Sequence, residues 1–259
     1  MSKYNPIIEV IEEHYEIPQF DAERKISVLL PYDYHETRKY YPVLYLQDGQ
    51  NLFNPSAPFG DWAIDKSLSK LAEEGCKDLI IVAIDHGEDE RIKEYLPYDH
   101  AKFGKGQGRV YIDFLKEKLI PHVNKNYRVL SDYANMGIGG SSMGGLISLY
   151  AGLTEPNVFG KMMIFSPSLW LSQKIFHDAN GLVPLPKSKV YLYGGGRESQ
   201  QHLPNVKRLE NILRGKKFAA SYFHVEVSVN LEGEHSERYW CKEFPKAVQW
   251  LYFNTKRVA

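Results

Sequence analysis

Around residue 140 the chain reads Gly139-Gly140-Ser141-Ser142-Met143-Gly144-Gly145, with a serine flanked two positions away on each side by glycine. A serine hydroxyl becomes a useful nucleophile when it stands on a sharp turn between a strand and a helix, where its backbone is strained and the residues two away must be small to avoid collision. Ser142 meets that requirement through Gly140 and Gly144, whereas the same frame centred on Ser141 would put the bulky Met143 at the second flanking position. The chemistry such a serine performs is acyl transfer, and it needs a base to take its proton and a carboxylate to orient that base.

On a strand–turn–helix of this kind the acid and then the histidine follow the serine along the chain. His202, His224 and His235 come late enough, with His177 an outsider. His224 opens an expected strand, where sheet packing should fix it, and His202 starts an expected helix. His235 lies in the polar segment Leu231-Glu232-Gly233-Glu234-His235-Ser236, between the last strand and the last helix, and is the expected base. Among the carboxylates between Ser142 and His235, Glu210 and Glu226 sit inside elements, and Glu232 and Glu234 are too close to His235 in sequence. Glu198 follows a strand and the run Gly194-Gly195-Gly196, which allows an unusual turn aiming a side chain inward. It is the expected acid, with Asp178 as its rival. Two backbone N–H groups should hold the developing oxyanion: Met143, after the nucleophile, and Gln50, in the turn Asp48-Gly49-Gln50-Asn51. Asn51 and Ser141 are expected to line the substrate pocket.

The elements that must carry these residues alternate. Expected strands are Lys25–Leu30, Pro42–Gln47, Asp78–Ile84, Met136–Ser141, Lys161–Ser166, Lys189–Tyr193 and His224–Val229. Expected helices are Ala63–Glu74, Val110–Ile120 closed by Pro121, Gly144–Leu153, Asn205–Leu213 and Phe244–Phe253. Strands separated by helices imply a mostly parallel sheet with right-handed crossovers. Pro97–Gly108 and Ser168–Ser188 fit the alternation poorly and are candidate substrate-facing loops. The 259 residues suit one domain spanning the whole chain, and no linker, internal repeat or low-complexity tract interrupts it.

Composition excludes other classes. The formal net charge is zero and the lysines are scattered, so no general attraction to nucleic acid or an anionic membrane is expected. No apolar run is long enough to span a bilayer, and the first residues carry no signal-peptide core, so a cytoplasmic protein is expected. Cys76 and Cys241 could form one disulfide at most, and no metal-ligand spacing is present. The 18 tyrosines suit half-exposed pocket walls as well as strand and helix seams. The expected partner is a small-molecule ester, and self-association stays open.

Four segments resemble the esterase family of α/β hydrolases, which holds enterochelin-type siderophore esterases, feruloyl and acetyl-xylan esterases and S-formylglutathione hydrolases. They are Tyr45-Leu46-Gln47-Asp48-Gly49-Gln50, Gly140-Ser141-Ser142-Met143-Gly144-Gly145, Phe165-Ser166-Pro167-Ser168-Leu169-Trp170 and Gly233-Glu234-His235, and the similarity runs from about residue 24 to residue 253. The resemblance implies an α/β-hydrolase fold, a mostly parallel sheet of about eight strands flanked by helices, working without a cofactor. It implies Ser142, His235 and Glu198 as a triad, Gln50 and Met143 as oxyanion donors, and Trp170 near the pocket for one half of the ester. S-formylglutathione hydrolases carry an aspartate acid and a histidine before the nucleophile; Glu198 and Ser141 depart from that pattern. Siderophore esterases carry basic residues for an anionic ligand, for which Arg91 and Arg197 are the counterparts, unless both are surface ion-pair partners. The function expected is serine ester hydrolysis through an acyl-enzyme. Acyl transfer to an alcohol or sugar on the same triad is the alternative, and a non-catalytic binding domain is a third reading.

Overall fold

The computed structural model describes residues 2–216 and 223–253. Eight strands form one sheet in the order β1-β2-β4-β3-β5-β6-β7-β8: β1 (Ile7–Ile17), β2 (Ala22–Leu30), β3 (Val43–Gln47), β4 (Ile80–Ile84), β5 (Met136–Ser141), β6 (Lys161–Phe165), β7 (Lys189–Gly195) and β8 (His224–Asn230). β2 runs antiparallel to both its neighbours, β1 and β4, and every pairing from β4 to β8 is parallel. This is the expected α/β-hydrolase architecture.

The central strands β3, β4, β5 and β6 are buried along their whole length. Their continuous apolar runs follow from helices covering both faces. Alternation along each strand sorts the core in two. Tyr45, Val82, Ile138 and Ile164 face one side. They pack there with α2 (Arg91–Tyr95), α3 (Gly108–Phe114), α4 (Ile120–Asn126), α5 (Ser142–Thr154), α6 (Lys174–Gly181) and α7 (His202–Arg214). Leu44, Leu46, Ile81, Met163 and Phe165 face the other side, against α1 (Ile64–Glu73) and α8 (Glu237–Val248). Residues 143–153 of α5 are all buried, so it is apolar all round rather than amphipathic.

The expected elements are present, with four differences. β1 is an additional strand. It is an edge strand paired to β2, with Glu12, Glu13 and Glu16 exposed along it. The helix at Val110–Ile120 does not end at Pro121. A π-helical turn, Leu115–Leu119, joins α3 to α4, and Pro121 sits in the first turn of α4, where its missing N–H costs little. The closing helix starts at Glu237, right after the His235 loop, and tolerates Pro245 in its interior. Within Ser168–Ser188 the chain makes a short 3-10 turn, Leu169–Leu171, and then α6.

The register aligns the carboxyl ends of the parallel strands, with Ser141 opposite Phe165 and Phe165 opposite Tyr193. Loops leaving this edge meet over β5, the position at which open α/β sheets build sites.

Candidate active site

Ser142 is the first residue of α5 and is held at φ 57°, a left-handed conformation unusual for a residue with a β-carbon. The tightness of the turn is measurable at its glycines. A β-carbon on Gly140 would lie 2.9 Å from the Gly144 carbonyl carbon, and one on Gly144 would lie 2.8 Å from Asp48 Oδ2. The Ser142 hydroxyl stands 3.4 Å from Ser168 Oγ, and the Ser168 N–H donates to the Ser142 carbonyl at 3.1 Å. The loop after β6 is thereby tied to the serine turn.

His235 and Glu198 meet beside it, with His235 Nδ1 2.7 Å from Glu198 Oε2. An Nδ1–H donating to the carboxylate leaves Nε2 as the free acceptor, so the pairing fixes the tautomer. The loop after β7 and the loop after β8 are laced together by main-chain bonds, Gly196 N–H to Asn230 O and Arg197 N–H to Gly233 O, each 2.8 Å. The glycine run expected to make an unusual turn adopts no left-handed conformation. Gly194 and Gly195 are the last residues of β7, and their service is close approach: a β-carbon on Gly195 would stand 2.8 Å from Glu198 Oε1.

Glu198 is buried, its side chain 4% exposed, and each oxygen has company. Oε1 accepts the Ser166 hydroxyl at 2.6 Å and the Gly195 N–H at 2.7 Å. Ser166 in turn accepts the indole N–H of Trp240 at 2.9 Å. The Trp240 ring also stands edge-on to His235, with centroids 5.0 Å apart. Burial works to raise the Glu198 carboxyl. The bonds from His235 and Ser166, the nearby His202 and the Gly195 N–H outweigh it and hold the acid below its ordinary range.

Ser142, Met143, Glu198, His235 and Trp170 line one cavity of about 320 Å³, whose remaining walls include Ile92, Phe103, Pro167 and Leu171. Both irregular stretches therefore reach the site, one through Phe103 and the other through Ser168 and Trp170. Trp170 is 61% exposed at the rim. A second cavity of about 530 Å³ shares Ser142, His235 and Ile92 with the first and is lined by Ser141, Asn51, Asp48, Arg91, Phe59 and Trp240 among others. Gln50 lines neither. It lies on the one-turn 3-10 helix Gly49–Asn51, its side-chain oxygen accepting the His86 N–H at 3.2 Å.

Asp178, the rival acid, is on α6 and binds the Tyr98 hydroxyl. Arg91 is committed to Asp48, with Nε to Oδ1 at 2.7 Å and Nη2 to Oδ2 at 2.8 Å, which braces the left-handed residue before Gly49. Arg197 pairs with Glu232 on the surface. Neither arginine offers an uncommitted charge to an anionic ligand. Cys76 and Cys241 are free thiols. Among the described residues no cluster of histidine, cysteine and carboxylate side chains could hold a metal ion, and no helix is long and apolar enough to cross a membrane.

Sequence reasoning missed Ser166, Trp240 and His202 as neighbours of the acid. Ser166 had one signal, the Ser-Pro pair directly after β6; in the structure it too is left-handed, at φ 43°. Trp240 and His202 had none, because their meeting with Glu198 depends on how α8 and α7 dock.

The family described as "Putative esterase" matches residues 17–251. The Bacillus subtilis protein YbbA is 29% identical over 89% of this chain and 93% of its own length. An endo-1,4-beta-xylanase/feruloyl esterase of Xylanibacter ruminicola is 26% identical over 87% of this chain, which spans 29% of that longer protein. A siderophore triacetylfusarinine C esterase of Aspergillus fumigatus is 32% identical over 56% of this chain and 51% of its own length. Among solved structures, an IroE-like serine hydrolase from Shewanella oneidensis superposes with a TM-score of 0.75 at 17% identity, covering 94% of this chain and 79% of that one. The enterobactin esterase FES from Shigella flexneri superposes with a TM-score of 0.73 at 17% identity, covering 95% of this chain and 59% of that one.

Proposed function

The chain belongs to the esterase family, and on that premise we propose that it hydrolyses carboxylic esters through an acyl-enzyme on Ser142, with His235 as base and Glu198 as acid. The observation that carries the reading is the 2.7 Å contact between His235 and Glu198 in a cavity that Ser142 also lines. In the reaction, Ser142 Oγ attacks the ester carbonyl while His235 Nε2 takes its proton. Glu198 stabilises the imidazolium so formed. The N–H groups of Met143 and Gln50 hold the oxyanion. His235 returns the proton to the departing alcohol, and a water molecule, deprotonated by the same histidine, releases the acid.

The substrate is a small-molecule ester with an aryl or aliphatic group for the chamber bounded by Ile92, Phe103 and Trp170. Aryl, carbohydrate and siderophore-type esters all fit that description. Transfer of the acyl group to an alcohol or sugar is a second reading. It is favoured by the two chambers meeting at Ser142, which leave room for an acceptor beside the acyl group. No cofactor takes part. The free thiols Cys76 and Cys241 support a cytoplasmic setting.

Ser142→Ala is expected to reduce p-nitrophenyl acetate hydrolysis by about 10⁴-fold or more with circular dichroism unchanged. Glu198→Gln should lower the rate strongly and Asp178→Asn should not. A Ser142→Ala protein that keeps a tenth of the wild-type rate, or wild-type protein that a fluorophosphonate probe fails to label, overturns the reading. Products formed in added alcohols separate transfer from hydrolysis.

A further inference from the structure

Glu198 Oε2 faces two imidazoles. His235 Nδ1 lies 2.7 Å away and His202 Nε2 lies 3.4 Å away. The first is an aligned hydrogen bond. The second is within ion-pairing range but its ring is not aligned for a bond, and His202 Nε2 has no other partner. His202 is buried, its side chain 8% exposed, on the first turn of α7. A buried ring nitrogen left without a hydrogen bond is costly, and the group that can relieve it is the carboxylate beside it. Space has been kept for the arrangement: a β-carbon on Gly194, at the end of β7, would stand 3.2 Å from His202 Nε2.

Resting on the triad reading above, we propose that His202 is a positioning residue. Its neutral imidazole points Nε2–H at Glu198 Oε2, shares that oxygen with His235, and so fixes the carboxylate while limiting the negative charge it presents to His235. Glu198 and His235 are the titratable groups that bear on His202; the turn Leu169–Leu171 beside α7 carries none, and β7 meets it at glycine. Burial lowers the His202 pKa against the pull of Glu198, which favours the neutral ring. His202 touches no reacting atom in this scheme. It acts through the acid.

The sign of the effect follows. Removing a donor from Oε2 concentrates charge on the side facing His235, which stabilises the His235 imidazolium and raises the pH below which the base is lost. His202→Leu should therefore move the acid limb of kcat/KM for p-nitrophenyl acetate upward by about half a pH unit. It should also lower kcat by about tenfold through a loosened carboxylate. His202→Gln, which returns an N–H at similar reach, should restore the limb to its wild-type position and most of the rate. An unmoved limb in His202→Leu, or a glutamine variant no better than leucine, overturns the proposal. Wild-type protein supplies a test that no folding defect can blur: the ¹⁵N imidazole spectrum at pH 8 should assign His202 to the Nε2–H tautomer, and the Nδ1–H tautomer refutes it. Ser142→Ala separates the two levels. If it stays active the triad reading fails; if it is dead while His202→Leu matches wild type, only the role of His202 fails.

Discussion

Ser166→Ala removes one hydroxyl and disturbs two partners. The lost Ser166 Oγ donates to Glu198 Oε1 at 2.6 Å and accepts Trp240 Nε1–H at 2.9 Å, deep in the structure, where Ser166 is 1% and Trp240 3% exposed. A bond to a charged acceptor contributes about 1.5–3 kcal/mol, and a buried donor left without an acceptor costs about 1–3 kcal/mol. Together these give a stability loss of about 3–4 kcal/mol at pH 7.5, a large fraction of a domain's total. The two parts separate in a cycle with Trp240→Phe. In that background no indole N–H is stranded, so Ser166→Ala should cost about 1–2 kcal/mol less than in wild type. They also separate by pH. Glu198 has a depressed pKa in the fold, so the stability drawn from its donors is fully present above the unfolded value of 4.5 and is lost as pH falls through the folded value. The penalty should therefore shrink in acid towards the Trp240 part alone. Urea unfolding followed by far-ultraviolet circular dichroism at pH 7.5 and at pH 4 and below measures all of this. Glu198 keeps His235 and the Gly195 N–H, so hydrolysis should survive at about a third to a tenth of the wild-type rate. A loss under 1 kcal/mol at pH 7.5, or the same loss with and without Trp240, refutes the reasoning.

Arg91→Met strands Asp48, whose side chain is 8% exposed, and should cost about 3 kcal/mol in thermal or urea unfolding and lower kcat through a loosened Gly49–Asn51 turn; an unchanged melting temperature would contradict the bracing role. Trp170→Ala should leave stability within about 0.5 kcal/mol, because the ring is 61% exposed, while raising KM for esters of aromatic acids by about three- to tenfold and sparing p-nitrophenyl acetate turnover. Equal effects on aromatic-acid and acetyl esters would remove Trp170 from the acyl pocket.

Legibility in the sequence tracked the range of the interaction. The serine turn is local: small residues two away on each side, an apolar strand before and a helix after, all within Met136–Thr154, so it could be read without a sheet. Glu198 and His235 were reachable by chain order and strand ends, although nothing in the residues between them required their 2.7 Å contact. Ser166, Trp240 and His202 were hidden because they arrive from β6, α8 and α7, and their convergence depends on the register of three parallel strands and the docking of two helices. β1 was missed for a simpler reason. An edge strand keeps little of the apolar alternation that marks a buried one: Ile8 and Val10 face outward, Glu9 lies half-buried between them, and Glu12 and Glu13 break the pattern. Pro121 misled in the opposite sense, since a π-helical turn absorbs the break that proline ordinarily makes.

The backbone lacing of the Glu198 and His235 loops has a consequence for how such a protein diversifies. Gly196 and Arg197 bond to Asn230 and Gly233, so the two loops form one rigid piece with no room for insertion. The segments bearing Phe103 and Trp170 are anchored separately, after α2 and after β6. Lengthening the Phe103 segment, or the Trp170 segment beyond Ser168, would redraw the chamber while leaving the Glu198–His235 contact in place. A lineage built this way can exchange its substrate without relearning its chemistry.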